Sequence, residues 1–334
     1  MEKKNVLLYT NNHRGSLEQV FSTYGLYRTL QELGWEPVVY DEPRKGCTRG
    51  ESYLNAHCSM VSEMCVHSDR EAYLNSFNAV LTGGERKWEC AKEESVDKCF
   101  LNWGKTEARR IAYAPTFGEK CSLPLGPKNA AQFLMQKFQG IAAADNMTQR
   151  ILNLEFQMDA EMVCNPILLS EGFAHLDADQ IEGLFITAVF DRPNRQKQKA
   201  AEMAEETLKY RVLDYSREVM ARNRITIDEY LNAIEKSSLI ITDSAAAIHL
   251  AVVYRKPFIA VLSCRSSEAS GVFSTLESLK LLERVIDPEE DVREKKYLCR
   301  KPVKYGLVDY KLEKLRAKSI QWLENSLNGQ EADK

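Results

Sequence analysis

The sequence predicts an α/β protein with two doubly wound, Rossmann-like domains facing a cleft, and three observations carry that expectation. The chain opens strand, polar loop, helix, strand: Asn5–Thr10, residues 11–16, an apolar helical repeat over Leu17–Leu33, then Glu36–Tyr40. That order is common to doubly wound sheets. A second strand-turn-helix-strand unit occupies Ser237–Leu262, with the apolar run Leu239–Ile241, the turn Thr242-Asp243-Ser244, a helix opening on three alanines, and Phe258–Leu262 after Lys256-Pro257. Short β-branched apolar runs of this kind belong in parallel sheets buried on both faces. At 334 residues the chain exceeds one ordinary core and suits two domains.

The first domain is expected over residues 1–175. Its opening helix carries Leu17, Val20, Phe21, Tyr24, Tyr27, Leu30 and Leu33 at helical spacing, and Gly34 is placed to end it. The loop before it lacks GxGxxG, so the dinucleotide fingerprint is absent. Residues 42–68 read as an irregular insertion with a short helix, either a lid or a solvated connection. Strand Phe77–Leu81 runs into Thr82-Gly83-Gly84-Glu85-Arg86-Lys87-Trp88. Two glycines after a strand admit a ligand close to the backbone, and a tight turn explains them equally. A helix near Val96–Trp103, strand Arg110–Ala114, the turn Pro115–Gly118, helix Asn129–Lys137, strand Gly140–Ala144, helix Asn146–Leu154 and strand Glu161–Cys164 follow.

Ser170–Gly183 is polar and contains glycine, which marks a linker. The second domain, 180–290, opens on strand Leu184–Phe190, with Asp191-Arg192-Pro193-Asn194-Arg195 at its carboxyl end. Helix Gln196–Leu208, strand Tyr210–Leu213, helix Ile227–Ile234, the 237–262 unit, helix Leu276–Leu282 and strand Arg284–Asp287 complete it. A final amphipathic helix at 307–328, with Leu312, Leu315, Ile320, Leu323 and Leu327, is expected to return to the first domain, leaving 329–334 as a tail.

The 45 basic and 48 acidic side chains give a formal net charge of -3, which offers nucleic acid no electrostatic footprint. No apolar run approaches the ~18 residues of a membrane span, and the first residues lack the pattern of a signal peptide. No transmembrane segment and a cytoplasmic location are expected. Nine cysteines without a CxxC pair and five histidines without ligand spacing point to reduced thiols and no metal. No cofactor is expected.

Ligands bind open α/β sheets in the crevice at the carboxyl ends of the strands. There, Thr242 and Ser244 stand before a helix whose first N–H groups favour a phosphate or carboxylate; equally, Thr-Asp-Ser is ordinary helix-cap chemistry. Arg192 and Arg195 supply guanidinium groups to an anion or form a solvent-facing pair. Asn11, Asn12 and Ser16 hydrogen-bond sugar hydroxyls or shape the turn.

Several of these segments, taken in order, resemble the polysaccharide pyruvyl transferases. FSTYGLYRTLQELG at 21–34 resembles the family's opening helix; AVLTGGERKW at 79–88 its strand with GSDQxW; RIAYAPTFG at 110–118 its basic-aliphatic-Tyr-Ala-x-Ser-Phe-Gly. GIAAADNMTQRIL at 140–152, CNPILL at 164–169 and Ile240–Phe258 are similar to its IS-x-RE-x-S, DPTLL and TDSFHG…KPF segments. The resemblance spans about residues 10–285. It implies a GT-B-like fold and transfer of a pyruvyl ketal from phosphoenolpyruvate, or another anionic donor, to a sugar or lipid-linked saccharide acceptor in polysaccharide biosynthesis. The departures fall at the chemistry. The family histidine and the glycine after it correspond to Ala246 and Ala247, its Arg-Glu pair to Ala144 and Asp145, its aspartate to Asn165, and its Asp-Gln to Glu85-Arg86. Alanine replaces neither a general acid/base nor an anion clamp.

The resulting expectation gives catalysis to Asp243 and His249, the latter about one helical turn after Ala246. It gives donor or anion binding to Thr242, Ser244, Arg192, Arg195, Gly83 and Gly84, and acceptor binding to Asn11, Asn12, Ser16, Glu85, Arg86 and Thr116. Two alternatives stand beside pyruvyl transfer. One is an inactive relative that binds sugar, nucleotide-sugar or a partner enzyme, and the other a GT-B-type glycosyltransferase.

Overall fold

The computed structural model describes residues 4–10, 16–40, 48–61, 70–90, 93–104, 106–118, 122–175, 181–263 and 269–329. It divides into two compact units, Met1–Ser170 with Glu313–Lys334, and Glu171–Leu312.

The first unit is built on a seven-stranded sheet of β1 (Asn5–Thr10), β2 (Glu36–Tyr40), β3 (Met60–Val61), β4 (Ala79–Gly83), β5 (Arg109–Tyr113), β6 (Gly140–Ala143) and β7 (Glu161–Met162). The order is β3-β2-β1-β4-β5-β6-β7 and every pairing is parallel. Strand order therefore reverses between β1 and β4, which end together with Thr10 opposite Gly83. Val6, Leu7 and Leu8 are fully buried, as expected for a strand covered on both faces. The helices are α1 (Leu17–Glu32), α2 (Arg49–His57), α3 (Arg70–Asn75), α4 (Glu93–Cys99), α5 (Leu125–Met135) and α6 (Asn146–Phe156). Within the stretch expected to be irregular, α2 starts on a capping box between Thr48 and Glu51, and β3 adds an unforeseen edge strand. Aromatic rings fill the core under β5 and β6, with Trp88 stacked on Phe100 and Phe117 on Phe156.

The second unit holds β8 (Phe185–Val189), β9 (Arg211–Asp214), β10 (Leu239–Thr242), β11 (Phe258–Val261) and β12 (Val285–Ile286), all parallel, in the order β12-β11-β10-β8-β9. This is the second common doubly wound order, and its switch point lies between β8 and β10. Leu239, Ile240 and Ile241 are fully buried, each worth about 1.5–3 kcal/mol of transfer free energy. The helices are α7 (Arg195–Leu208), α8 (Arg217–Asn223), α9 (Ile227–Lys236), α10 (Ala245–Val253) and α11 (Ser270–Ser278). α11 begins earlier than the apolar pattern predicts, and it also ends earlier, because Lys280 turns left-handed at φ 61° and stops it.

The last helix, α12 (Tyr305–Asn328), belongs to the first unit from Glu313 onward. There Arg316 donates to the carbonyls of Leu168 and Ser170, the Ser319 hydroxyl accepts from Cys164 N–H at 2.9 Å, and Arg109 Nε donates to the Ser326 carbonyl at 2.9 Å. Among the described residues no helix is long and apolar enough to cross a membrane.

Candidate functional site

In the second unit β8 and β10 end side by side, Val189 opposite Thr242. Two connections leave this point. Residues 190–194 lead into α7, and Asp243-Ser244 lead into α10. The Thr242 hydroxyl ties the strand ends together, donating to the Val189 carbonyl at 2.7 Å and accepting from Ser244 N–H at 2.8 Å. Ser244 occupies the N-cap position of α10 in extended backbone, with no side-chain bond to the helix. Asn194 caps α7, its Oδ1 accepting from Lys197 N–H at 3.0 Å.

Asp243 is the fastener of this end. Its carboxylate accepts from the Asp191 and Arg192 N–H groups at 2.7 and 3.3 Å and from the Lys197 ammonium, which also donates to the Arg192 carbonyl at 2.7 Å. Lys197 and Asp243 side chains are only 11% and 7% exposed, so the pair is shielded from screening. The result is a fixed 191–195 loop with Arg192 and Arg195 exposed. Nothing in the sequence marks Lys197. One lysine in the charged run Arg195-Gln196-Lys197-Gln198-Lys199 carries no local mark that separates it from the next.

His249 is 1% exposed inside α10, and Ala246 and Ala247 are 1% and 0% exposed. Positions 246 and 249 are thus both sealed in the packed helix. Lys256 lies beyond the far end of α10 from Ser244, on the order of 14 Å along a nine-residue helix, and burial pulls its pKa down.

The first unit has its own strand-end constellation. A Cβ on Gly83 would stand 1.9 Å from the Tyr113 carbonyl oxygen, so the neighbouring backbone of β5 demands this glycine. Gly84 is needed for its φ of +94°. Ser16 Oγ donates to Glu85 Oε2 at 3.4 Å and Gln19 Nε2 to the Glu85 carbonyl at 3.3 Å. Arg86, at φ 57°, donates its N–H to Thr116 Oγ1 at 2.7 Å and its guanidinium to Glu89 at 2.7 and 2.9 Å. Ser16, Glu85, Arg86 and Thr116 are therefore brought together with Gly83 and Gly84. Those two glycines belong to the first unit, whereas Thr242, Ser244, Arg192 and Arg195, expected to share donor binding with them, belong to the second. Asn11 and Asn12 lie outside the described residues.

Two positions matched to family chemistry are helix and turn caps here. Asp145 caps α6, accepting from Thr148 N–H and Oγ1 at 2.8 Å each. Asn165 accepts from Ile167 N–H at 2.9 Å and donates to Glu18 Oε1 at 2.9 Å. Among the described residues no cluster of three or more His, Cys, Asp or Glu side chains could hold a metal ion.

No protein-family profile matches the sequence, and no curated protein matches it. Solved structures do match along nearly the whole chain. UGT89C1 of Arabidopsis thaliana, complexed with UDP-L-rhamnose, is 11% identical, covers 98% of this chain and 100% of its own, and has a TM-score of 0.56. MnaA of S. aureus, solved with UDP, is 12% identical over 96% of this chain and 91% of its own, at a TM-score of 0.53. An alpha-glucosyltransferase in complex with UDP and a 13-mer DNA is 9% identical over 96% and 95%, also at 0.53. At such identities the likeness shows the fold: two parallel-sheet α/β domains of the GT-B kind.

Proposed function

We propose that this chain is a GT-B-type glycosyltransferase whose second unit binds a nucleoside-diphosphate sugar, with the diphosphate at the switch between β8 and β10. One observation carries the reading. Asp243 and Lys197 pin the 191–195 loop so that two exposed arginines stand at the strand ends where α10 begins. Helix N–H groups and guanidinium forks are the chemistry that takes a diphosphate. The three similar structures described above, each solved with UDP or a UDP-sugar, support the choice of ligand. Asp243 then acts as a positioning residue, and His249 stays within the core of the helix.

Calorimetric titration of UDP into the chain and into Arg192→Ala/Arg195→Ala tests this. Charge-assisted hydrogen bonds contribute about 1.5–3 kcal/mol, so the double variant is expected to bind at least about tenfold more weakly. Equal affinity, or no binding by the parent chain, overturns the reading.

Pyruvyl transfer from phosphoenolpyruvate is the second reading. It rests on the ordered segment matches, whose polar residues Thr116, Asp145 and Thr242 sit at or just past the carboxyl ends of β5, β6 and β10. A phosphoenolpyruvate arm in the same titration separates it, since the two donors predict opposite preferences. An inactive relative would bind one of these ligands without transferring it to any saccharide.

A further inference from the structure

α1 starts at the switch between β1 and β4, and its first two turns bury four polar side chains. Glu18, Gln19, Ser22 and Thr23 are 7%, 2%, 1% and 0% exposed. Buried polar atoms are as a rule hydrogen-bonded, and each exception asks for an explanation. Thr23 follows the rule, with Thr10 Oγ1 at 2.6 Å and the Gln19 carbonyl at 2.8 Å. Gln19 Oε1 and Ser22 Oγ do not: among the described residues neither meets a hydrogen-bond partner.

These two side chains are three residues apart on one helix face, and that face is turned toward the end of β4. Gln19 Nε2 is 3.3 Å from the Glu85 carbonyl, and a Cβ built on Gly84 would have the Ser22 Cβ as its nearest neighbour at 4.0 Å. The bonds that close this spot over, Ser16 to Glu85 at 3.4 Å and Gln19 to Glu85 at 3.3 Å, lie at the weak end of the hydrogen-bond range.

We propose that Gln19 and Ser22, facing Gly84 and Glu85, form a binding site in the first unit for a neutral, hydroxyl-rich ligand, a saccharide. The free amide oxygen needs a donor, and the serine hydroxyl gives or takes a proton. A pair of adjacent sugar hydroxyls satisfies both. The Glu18 and Glu85 carboxylates beside the spot repel an anion, and the positive end of the α1 dipole disfavours a cation. The site stands on the first unit alone and holds whether or not the second unit binds a nucleotide.

The test is thermal unfolding of the full chain with D-glucose, D-galactose, D-mannose or N-acetyl-D-glucosamine, with inorganic phosphate as the charged control. At least one sugar is expected to raise Tm, phosphate is not expected to act through this site, and both Ser22→Ala and Gln19→Leu abolish the sugar's effect. Ligand-free Ser22→Ala is expected to unfold no lower than the parent chain, because it removes a hydroxyl that meets no hydrogen-bond partner among the described residues. The proposal is overturned if no sugar raises Tm, or if Ser22→Ala keeps the rise. It is also overturned if ligand-free Ser22→Ala melts lower, or if phosphate gives a rise that Ser22→Ala removes. UDP affinity measured on the same variants stays at the parental value, which keeps this outcome separate from that of the nucleotide site.

Discussion

At the residue scale, the Lys197–Asp243 pair decides the shape of the second unit's strand ends. Breaking a buried ion pair by removing one partner leaves an uncompensated charge and costs about 3–5 kcal/mol; at 11% and 7% exposure this pair belongs near the lower figure. Lys197→Met is therefore expected to destabilise the chain by about 3 kcal/mol in urea unfolding, and to speed amide exchange at 191 and 192, whose N–H groups depend on Asp243. A loss under 1 kcal/mol would mean that the loop is held by something else. The strand-end placement of several residues of this candidate site was legible in the sequence. Thr242, Ser244, Arg192 and Arg195 follow from their places just after apolar runs. Lys197 was not legible, because its partner is 46 residues away. The same limit applies to Gly83 and Gly84. Side by side they read alike, yet one is required by the Tyr113 carbonyl across the sheet and the other by its own backbone angle.

At the scale of elements, strands buried on both faces announce themselves by composition, so β1, β4, β8, β10 and β11 were readable within a residue or two. Elements stabilised by long-range bonds were not. α8 (Arg217–Asn223) buries a single side chain, Met220, so it shows no apolar period. The 3-10 segment Val292–Cys299 is held by Arg284, which is fully buried. Its guanidinium donates to the carbonyls of Phe258 at 2.7 Å, Leu298 at 3.0 Å and Lys301 at 3.1 Å, and burial lowers its pKa. Arg284→Met removes the donors of three carbonyls and is expected to cost about 3 kcal/mol, at roughly 1 kcal/mol or more for each. Arg284→Lys is expected to recover little of the melting temperature, since a point ammonium cannot span the fork. Full recovery by lysine would show that charge, and not the fork, secures the segment.

At the scale of the whole molecule, the two sheets share the parallel, doubly wound plan but differ in strand order. That difference could not be read from sequence, because order is set by which crossovers pack and not by any local pattern. Buried and half-buried ionisable groups also act at this scale. Burial pushes the Cys58 thiol up to about 12 and raises Cys164, Cys299, Tyr113, Tyr215 and Tyr305. The unfolded chain loses these protons near about 8.5 for thiols and 10 for phenols, while the folded chain keeps them. Their contribution is thus fully present below about pH 8.5 and is lost as pH rises toward 12. Lys256 works in the opposite sense, gaining stability as pH rises toward about 10.4, one group against six among the described residues. The urea midpoint is expected to fall between pH 7.5 and 10.5; an unchanged midpoint would mean that the buried thiols and phenols ionise freely in the native state.

Hydrogen exchange with and without UDP tests the diphosphate site proposed at the ends of β8 and β10. Slowed exchange confined to residues 190–196 and 244–248 is the predicted result. No slowing at these residues at a saturating nucleotide concentration, or slowing elsewhere in the chain instead, would contradict it.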